Sequence, residues 1–179
     1  STWSGCTALA TFPAIPLTAG LGFNYAWNGC ASLTSFLATG LDSATNLYAT
    51  WQSCTSLATF PAIPLTAGLD FSYAWYGCTS LTSFLATGLD SGTNFTGTWQ
   101  NCTQLESFPA LDLSSGTNFT SAWNGCTSLA TMPAIALTAG TNFTATWSGN
   151  TALTSFLATG LDSGLTFTSA WYGCSQLES

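Results

Sequence analysis

Seven cysteines fall at Cys6, Cys30, Cys54, Cys78, Cys102, Cys126 and Cys174, and the place where the same 24-residue interval would put one more holds Asn150. Thiols so spaced could cross-link, hold a metal or attack as nucleophiles. In stacked parallel coils, neighbouring cysteines would lie one strand spacing apart, inside the reach of a disulfide, but with both Cβ atoms pointing the same way. The count is odd, and Asn150 interrupts the row between Cys126 and Cys174. An asparagine can stand in for a hydrogen-bonding buried thiol; it cannot stand in for half a bridge. A metal needs ligands that close around it, and these form a line with no other residue to complete a tetrahedron. The row is therefore read as a ladder of buried free thiols, small hydrophobes with weak S–H donors, in preference to bridges or a metal site.

The remaining polar residues offer little catalytic chemistry. The chain has no His to act as base and no Lys or Arg to act as nucleophile or clamp. Asp42, Asp90 and Asp162 share one position of the repeat but never in adjacent coils, which separates them by at least about 10 Å. That is too far for a carboxylate dyad, and calcium needs several converging oxygens. No enzyme activity, metal or cofactor is expected. Asn94, Asn118 and Asn142 in N-F-T, and Asn101 in N-C-T, fit the pattern of glycosylation acceptors. Thr96, Thr120, Thr144 and Thr168 form one column and Thr93, Thr117 and Thr141 another, with Asn24, Tyr48 and Ser72 interrupting the first. Flat arrays of this kind suit ice. Tyr25 and Tyr73 share a row, as do Tyr76 and Tyr172; such rings either cover a neighbouring coil or stack on sugars.

What positions all of these is a repeat. Tryptophan falls at 3, 27, 51, 75, 99, 123, 147 and 171 without insertion, the signature of a stacked solenoid. The cysteine row follows Trp by three, then come rows headed by Leu9, Phe12, Ala14, Leu17 and Phe23. The Phe12 row carries Met132, and the Phe23 row carries Leu47. These seven rows form the expected inward face. Glycine rows headed by Gly5 and Gly20 (with Ala44 the exception in the second) read as corners at positive φ. The Leu-to-Leu segment, such as 105–113, is the expected strand, and the stretch around Trp, such as 121–125, the expected helical turn. Coils at Trp3, Trp51 and Trp123 carry Pro-Ala-Ile, those at Trp27, Trp75 and Trp147 carry Leu-Ala-Thr, and that at Trp99 is intermediate, so a 48-residue block underlies the array. Residues 1–179 then form a single uncapped array of about seven and a half coils, on the order of 34 Å long.

Composition narrows the partners. With no Lys, Arg or His and seven acids, the formal charge is −7. Nucleic acid and anionic membrane surfaces, which need cationic side chains, are excluded, and no apolar run is long enough to span a bilayer. The lack of cations also leaves no site for trypsin-like proteases, which favours a secreted or surface-displayed protein.

The order W-x-G-C-T-S-L-T-S-F resembles the A-F-x-x-C-x-S-L-x-x-I core of the BspA-like leucine-rich repeats. Trp123–Thr146 is a good example, and the likeness runs over the whole chain. The resemblance implies a leucine-rich-type solenoid with a parallel sheet on one face and short 3₁₀ or α turns on the other. It also implies a bacterial or phage-associated surface protein, often adhesive, with no catalytic residues to transfer. Pro13, Pro61, Pro109 and Pro133 depart from the pattern by sitting where the strand should run, so the strand should be shortened or begin after them. The expected function is a non-enzymatic, extracellular structural or adhesive repeat on a cell surface or virion. It would stack end to end with adjoining repeats or with copies of itself into a fibre. A receptor- or glycan-binding fibre module is the alternative, and an ice-binding protein a further one.

Overall fold

The computed structural model describes residues 2–178. It is built almost entirely of turns and very short strands, and no α-helix occurs among the described residues. Six two-residue strands, β1 (Thr11–Phe12), β2 (Ser35–Phe36), β3 (Thr59–Phe60), β4 (Ser83–Phe84), β5 (Thr131–Met132) and β6 (Ser155–Phe156), form three parallel pairs, β1·β2, β3·β4 and β5·β6. Within each pair a residue faces the one 24 positions on, Phe12 opposite Phe36 for example. The sheets do not close into a barrel; the arrangement is compatible with a repeat solenoid.

Proline sets where each sheet stops. Leu37 N–H donates to Phe12 O at 3.0 Å, Leu85 to Phe60 O at 3.0 Å and Leu157 to Met132 O at 2.9 Å. The residues that would extend the ladder from Phe36, Phe84 and Phe108 are Pro61, Pro109 and Pro133, which have no N–H to give. In this strand segment each Leu-Ala-Thr coil therefore pairs with the coil before it and not with the proline coil after it. The strand expected over 105–113 is absent, and Ser107 makes only an isolated bridge to Thr131.

The continuous ladder lies instead on the tryptophan segment, where a helical turn was expected. Phe71, Tyr73, Trp75 and Gly77 N–H donate to the carbonyls of Asn94, Thr96, Thr98 and Gln100 at 2.8–2.9 Å. The same residue-to-residue-plus-23 pattern recurs in the other complete coils, alongside a bridge row running Gly22, Asn46, Asp70, Asn94, Asn118, Asn142 and Thr166. Residues 121–125 form no helix, because this segment folds as successive turns with left-handed residues at Ser121 (φ 55°) and Gly125 (φ 72°). Among the described residues the one 3₁₀ helix, Leu161–Ser163, is elsewhere.

These turns give the coil an inward period of three rather than the two of a strand. Trp75, Cys78, Leu81 and Phe84 point inward, then Ala86, Leu89, Gly92, Phe95 and Thr98. Successive inward residues close turns: Cys78 N–H to Trp75 O at 3.2 Å, Leu81 to Cys78 at 3.0 Å, Gly92 to Leu89 at 3.0 Å. Six rows of the expected inward face are buried through the middle of the stack. The alanine row is not uniform. Ala38 and Ala86 are buried, but Ala14, Ala62, Ala110 and Ala134 are exposed. In the coils at Trp51 and Trp123, Ile63 and Ile135 take the interior place, since proline shifts the pairing by one and Pro64 bridges Thr87.

A column absent from the expected core alternates between Ala26, Ala74, Ala122 and Ala170 and Thr50, Thr98 and Thr146, all buried. It governs the tryptophan stack. Indole centroids lie 5.2, 5.3, 5.1 and 5.2 Å apart across the alanine steps and 5.7, 5.9 and 6.0 Å apart across the threonine steps. Each threonine hydroxyl donates to a carbonyl of the coil before it, Thr98 to Phe71 O at 3.1 Å for example, which places a branched side chain between two layers.

The Gly20 row is not a positive-φ corner. None of Gly20, Gly68, Gly92, Gly116, Gly140 and Gly164 lies in the left-handed region; each is glycine because a phenylalanine ring fills the space a Cβ would need. A Cβ on Gly92 would come within 2.5 Å of Phe95 Cζ and 2.9 Å of Phe71 Cε2. The exceptions explain each other: the coil with Ala44 has Leu47 in place of phenylalanine. Gly92→Ala is therefore expected to destabilise the chain by about 1–3 kcal/mol through overpacking. Combining it with Phe95→Leu should recover about 1 kcal/mol or more relative to the sum of the single changes. Urea unfolding of the double-mutant cycle measures this, and strict additivity would refute the contact.

Candidate functional site

The thiols line up as a ladder along the stack, and the buried ones are chemically quiet. All seven cysteines are free; five are buried, Cys174 is half-buried and Cys6 is exposed. Each of Cys30, Cys54, Cys78, Cys102, Cys126 and Cys174 donates its S–H to the carbonyl of the tryptophan 27 residues earlier, at 3.0–3.2 Å. Burial pushes Cys78 and Cys126 up to about 12 and also raises Cys30, Cys54, Cys102 and Cys174, while the backbone bond to the preceding cysteine works against this at Cys78 and Cys126. A thiol held protonated is neither nucleophile nor metal ligand.

Asn150 occupies the ladder but does not do the cysteine's work. It is fully buried, and neither its Oδ1 nor its Nδ2 has a hydrogen-bond partner. The expectation that it replaces a hydrogen-bonding thiol is not met, because its planar amide does not reach Trp123 O as Cys126 Sγ reaches Trp99 O. The indole N–H groups of Trp27, Trp51, Trp75, Trp99, Trp123 and Trp147 are likewise buried without a partner.

The glycosylation motifs have a structural use. Asn94, Asn118 and Asn142 are half-buried on the bridge row. Asn118 Oδ1 accepts from Thr120 N–H at 3.0 Å and from its hydroxyl at 2.7 Å, and Asn94 holds Thr96 in the same way. Asn142 Oδ1 accepts from Thr144 N–H at 3.0 Å and from the Thr166 hydroxyl at 2.8 Å. Asn101 sits apart at a left-handed corner (φ 61°), its Oδ1 laid over Gly125. Asp42, Asp90 and Asp162 are exposed, and among the described residues no cluster of His, Cys, Asp or Glu could hold a metal.

The threonine columns are anchored. Thr93, Thr117 and Thr141 each donate to a carbonyl of the preceding coil at 3.1–3.3 Å. A second anchored column, Thr55, Thr103, Thr127 and Thr151, was missed in the sequence although it follows Trp by a constant four. No cavity opens among the described residues, and no helix is long and apolar enough to cross a membrane.

The tyrosines gather more closely than their rows suggested. Tyr25, Tyr48, Tyr73 and Tyr76 form one edge-to-face strip with centroids 5.1, 5.9 and 5.9 Å apart, while Tyr172 stands outside it, 76% exposed. Tyr25 and Tyr73 belong to a left-handed row that sequence reading also missed: Tyr25, Ala49, Tyr73, Gly97, Ser121, Ala145 and Ser169, at φ 51–57°. Only one of the seven is glycine, so the usual signal for this conformation was absent. A side chain there costs roughly 1–2 kcal/mol relative to glycine.

Two outcomes follow from the ladder. Asn150→Cys should stabilise the chain by about 1–3 kcal/mol, the cost of leaving buried polar groups unpaired, read as a higher urea midpoint with unchanged slope. The raised thiol pKa values also make stability alkali-sensitive. Unfolded thiols ionise near 9 and Cys78 only near 12, so in that window the unfolded state binds fewer protons and stability falls as pH rises. Each such thiol contributes about 1.4 kcal/mol per pH unit. Cys78→Ala should reduce the slope of stability against pH by about that amount between pH 9 and 11, while a parallel slope would refute the assignment.

No protein-family model matches the chain, nor does any curated protein or solved structure.

Proposed function

We propose that this chain is a non-enzymatic structural repeat, a leucine-rich-type rod of 24-residue coils related to the BspA-like surface proteins, displayed outside the cell or on a virion. The observation that carries the reading is that the coil-to-coil interface is one interface repeated. The same four N–H donors of the tryptophan segment meet the same four carbonyls in each complete coil, over an indole column that runs from Trp3 to Trp171. In a repeat array stability is a sum of coil and neighbour terms, so a further coil, from the same chain or from a copy, meets a matching surface. Such a contact is heterologous and propagates without closing. A surface of hydroxyls with no cation suits an extracellular rod that resists trypsin-like cleavage.

The test is to insert the 48-residue block 51–98 a second time. The rod should lengthen by about 10 Å, two parallel-strand spacings, as measured by small-angle scattering, with no loss of stability. Electron microscopy of the natural material should show fibres or extended rods. Compact particles of unchanged length would overturn the reading.

A further inference from the structure

Tyr25 and Tyr73 are where the fold least needs them. Their row is left-handed in each complete coil, and the other five positions hold Gly, Ala or Ser. Gly97 shows that the backbone turn is complete without any side chain. A bulky residue in this conformation is an outlier, and strain held where the turn needs no side chain points to a use other than folding. Tyr25 is 41% exposed. The Tyr73 ring is laid along the rod over the next coil, for a Cβ on Gly97 would come within 2.6 Å of its Cε1. Tyr48 and Tyr76, half-buried like Tyr73, join the two into one edge-to-face strip. Turn bonds set Asn28 beside Tyr25 and Tyr76 beside Tyr73, and the Asn28 amide donates to Gln52 Oε1 at 2.7 Å along the same edge.

The chemistry of the strip selects its occupant. The chain has no cation, and Asp70 is in the neighbouring row, so an anion would be repelled. No cavity among the described residues could enclose a small molecule. The strip spans only two coil spacings, roughly 10 Å, well short of the extent needed for the ~800 Å² per partner of a stable protein interface. What fits is an uncharged chain that can lie along the rod, set its C–H faces on the electron-rich ring faces and hydrogen-bond its hydroxyls to the flanking amides and phenols. We propose that the Tyr25–Tyr48–Tyr73–Tyr76 strip is a platform for a neutral polysaccharide strand. This goes beyond the structural reading and stands whether or not the rods assemble.

The test uses substitutions that other coils already carry, Tyr25→Ser and Tyr73→Gly together. In affinity electrophoresis through gels containing soluble β-glucan, xyloglucan, mannan or dextran, the intact chain should be slowed at least twofold by one or more of them and not by an anionic polysaccharide. The double variant should lose that retardation while its urea midpoint stays the same or rises, because strain is relieved. Tyr172→Ser should bind as the intact chain does. A purely structural role for the tyrosines gives the opposite pairing, a lower midpoint. That result would overturn the proposal, as would no retardation of the intact chain, retardation by the anionic polymer alone, equal retardation of the variant, or a change in sedimentation showing that a second copy covers the strip.

Discussion

Everything in this molecule is subordinate to the distance between one coil and the next. That distance is set by a parallel backbone ladder, for which about 4.8 Å is the natural spacing. Flat rings stacked squarely at that separation would leave a gap too wide for good dispersion contact. The indoles answer by offset: their planes stay within 3–14° of parallel while centroids sit 5.1–6.0 Å apart. The phenylalanines close what remains. Phe36 stands at 80° to Trp27, 4.7 Å away, and at 88° to Trp51, 5.3 Å away, so one ring edges against two layers. Offset and edge-to-face pairs are the arrangements aromatic quadrupoles favour. The backbone spacing and the aromatic packing thus require the same geometry.

The buried alanine–threonine column shows how finely that spacing responds to volume. Tryptophan steps lengthen wherever threonine replaces alanine and nowhere else. The 48-residue alternation of Pro-Ala-Ile and Leu-Ala-Thr coils slips out of phase at the coil of Trp99, but the alanine–threonine alternation does not. The two alternations therefore act on different edges of the coil. Proline decides which coils share a strand pair, and threonine decides how far apart the indoles stand. Buried threonine is tolerated because its hydroxyl finds a carbonyl in the coil before it. In the cysteine column Asn150 has no such partner, and that ladder loses its side-chain hydrogen bond there.

The sequence was legible where a column keeps one residue type for one reason. Trp, Cys, Leu and Phe recur because each inward place has one shape, and their rows are the core. It misled where one residue type serves two reasons. Glycine in the Gly5 row accepts positive φ, but glycine in the Gly20 row makes room for a ring, and only the paired exceptions Ala44 and Leu47 carry that distinction. Non-glycine residues at left-handed positions, Tyr25 and Ala49 among them, gave no local signal, because the inter-coil ladder imposes the conformation against propensity. The prolines in the Leu-to-Leu segment did signal a shortened strand, but nothing local signalled that the continuous ladder would run along the tryptophan segment, whose turns carry it. Of the candidate sites, the thiol ladder could be read from a period, whereas the tyrosine strip could not, since it joins residues from two different rows.

The same periodicity explains the near absence of charge. In a stack without insertions, a charged residue repeated in its column would face a like charge one coil away, at roughly 1 kcal/mol per neighbour even in water. The acids obey this limit. Asp42, Asp90 and Asp162 are two and then three coils apart, Glu106 and Glu178 are three coils apart, and Asp70 and Asp112 are alone in their columns. Two coil spacings, about 10 Å, is already the screening length in dilute salt. Surface hydration then falls to groups that tolerate stacking on themselves, and threonine does. Its hydroxyl donates to the coil below, as from Thr117 to Thr93 and from Thr141 to Thr117, and keeps its lone pairs for water. The surface columns are therefore a second set of fasteners between coils, so the outward face contributes to the stack as well as hydrating it.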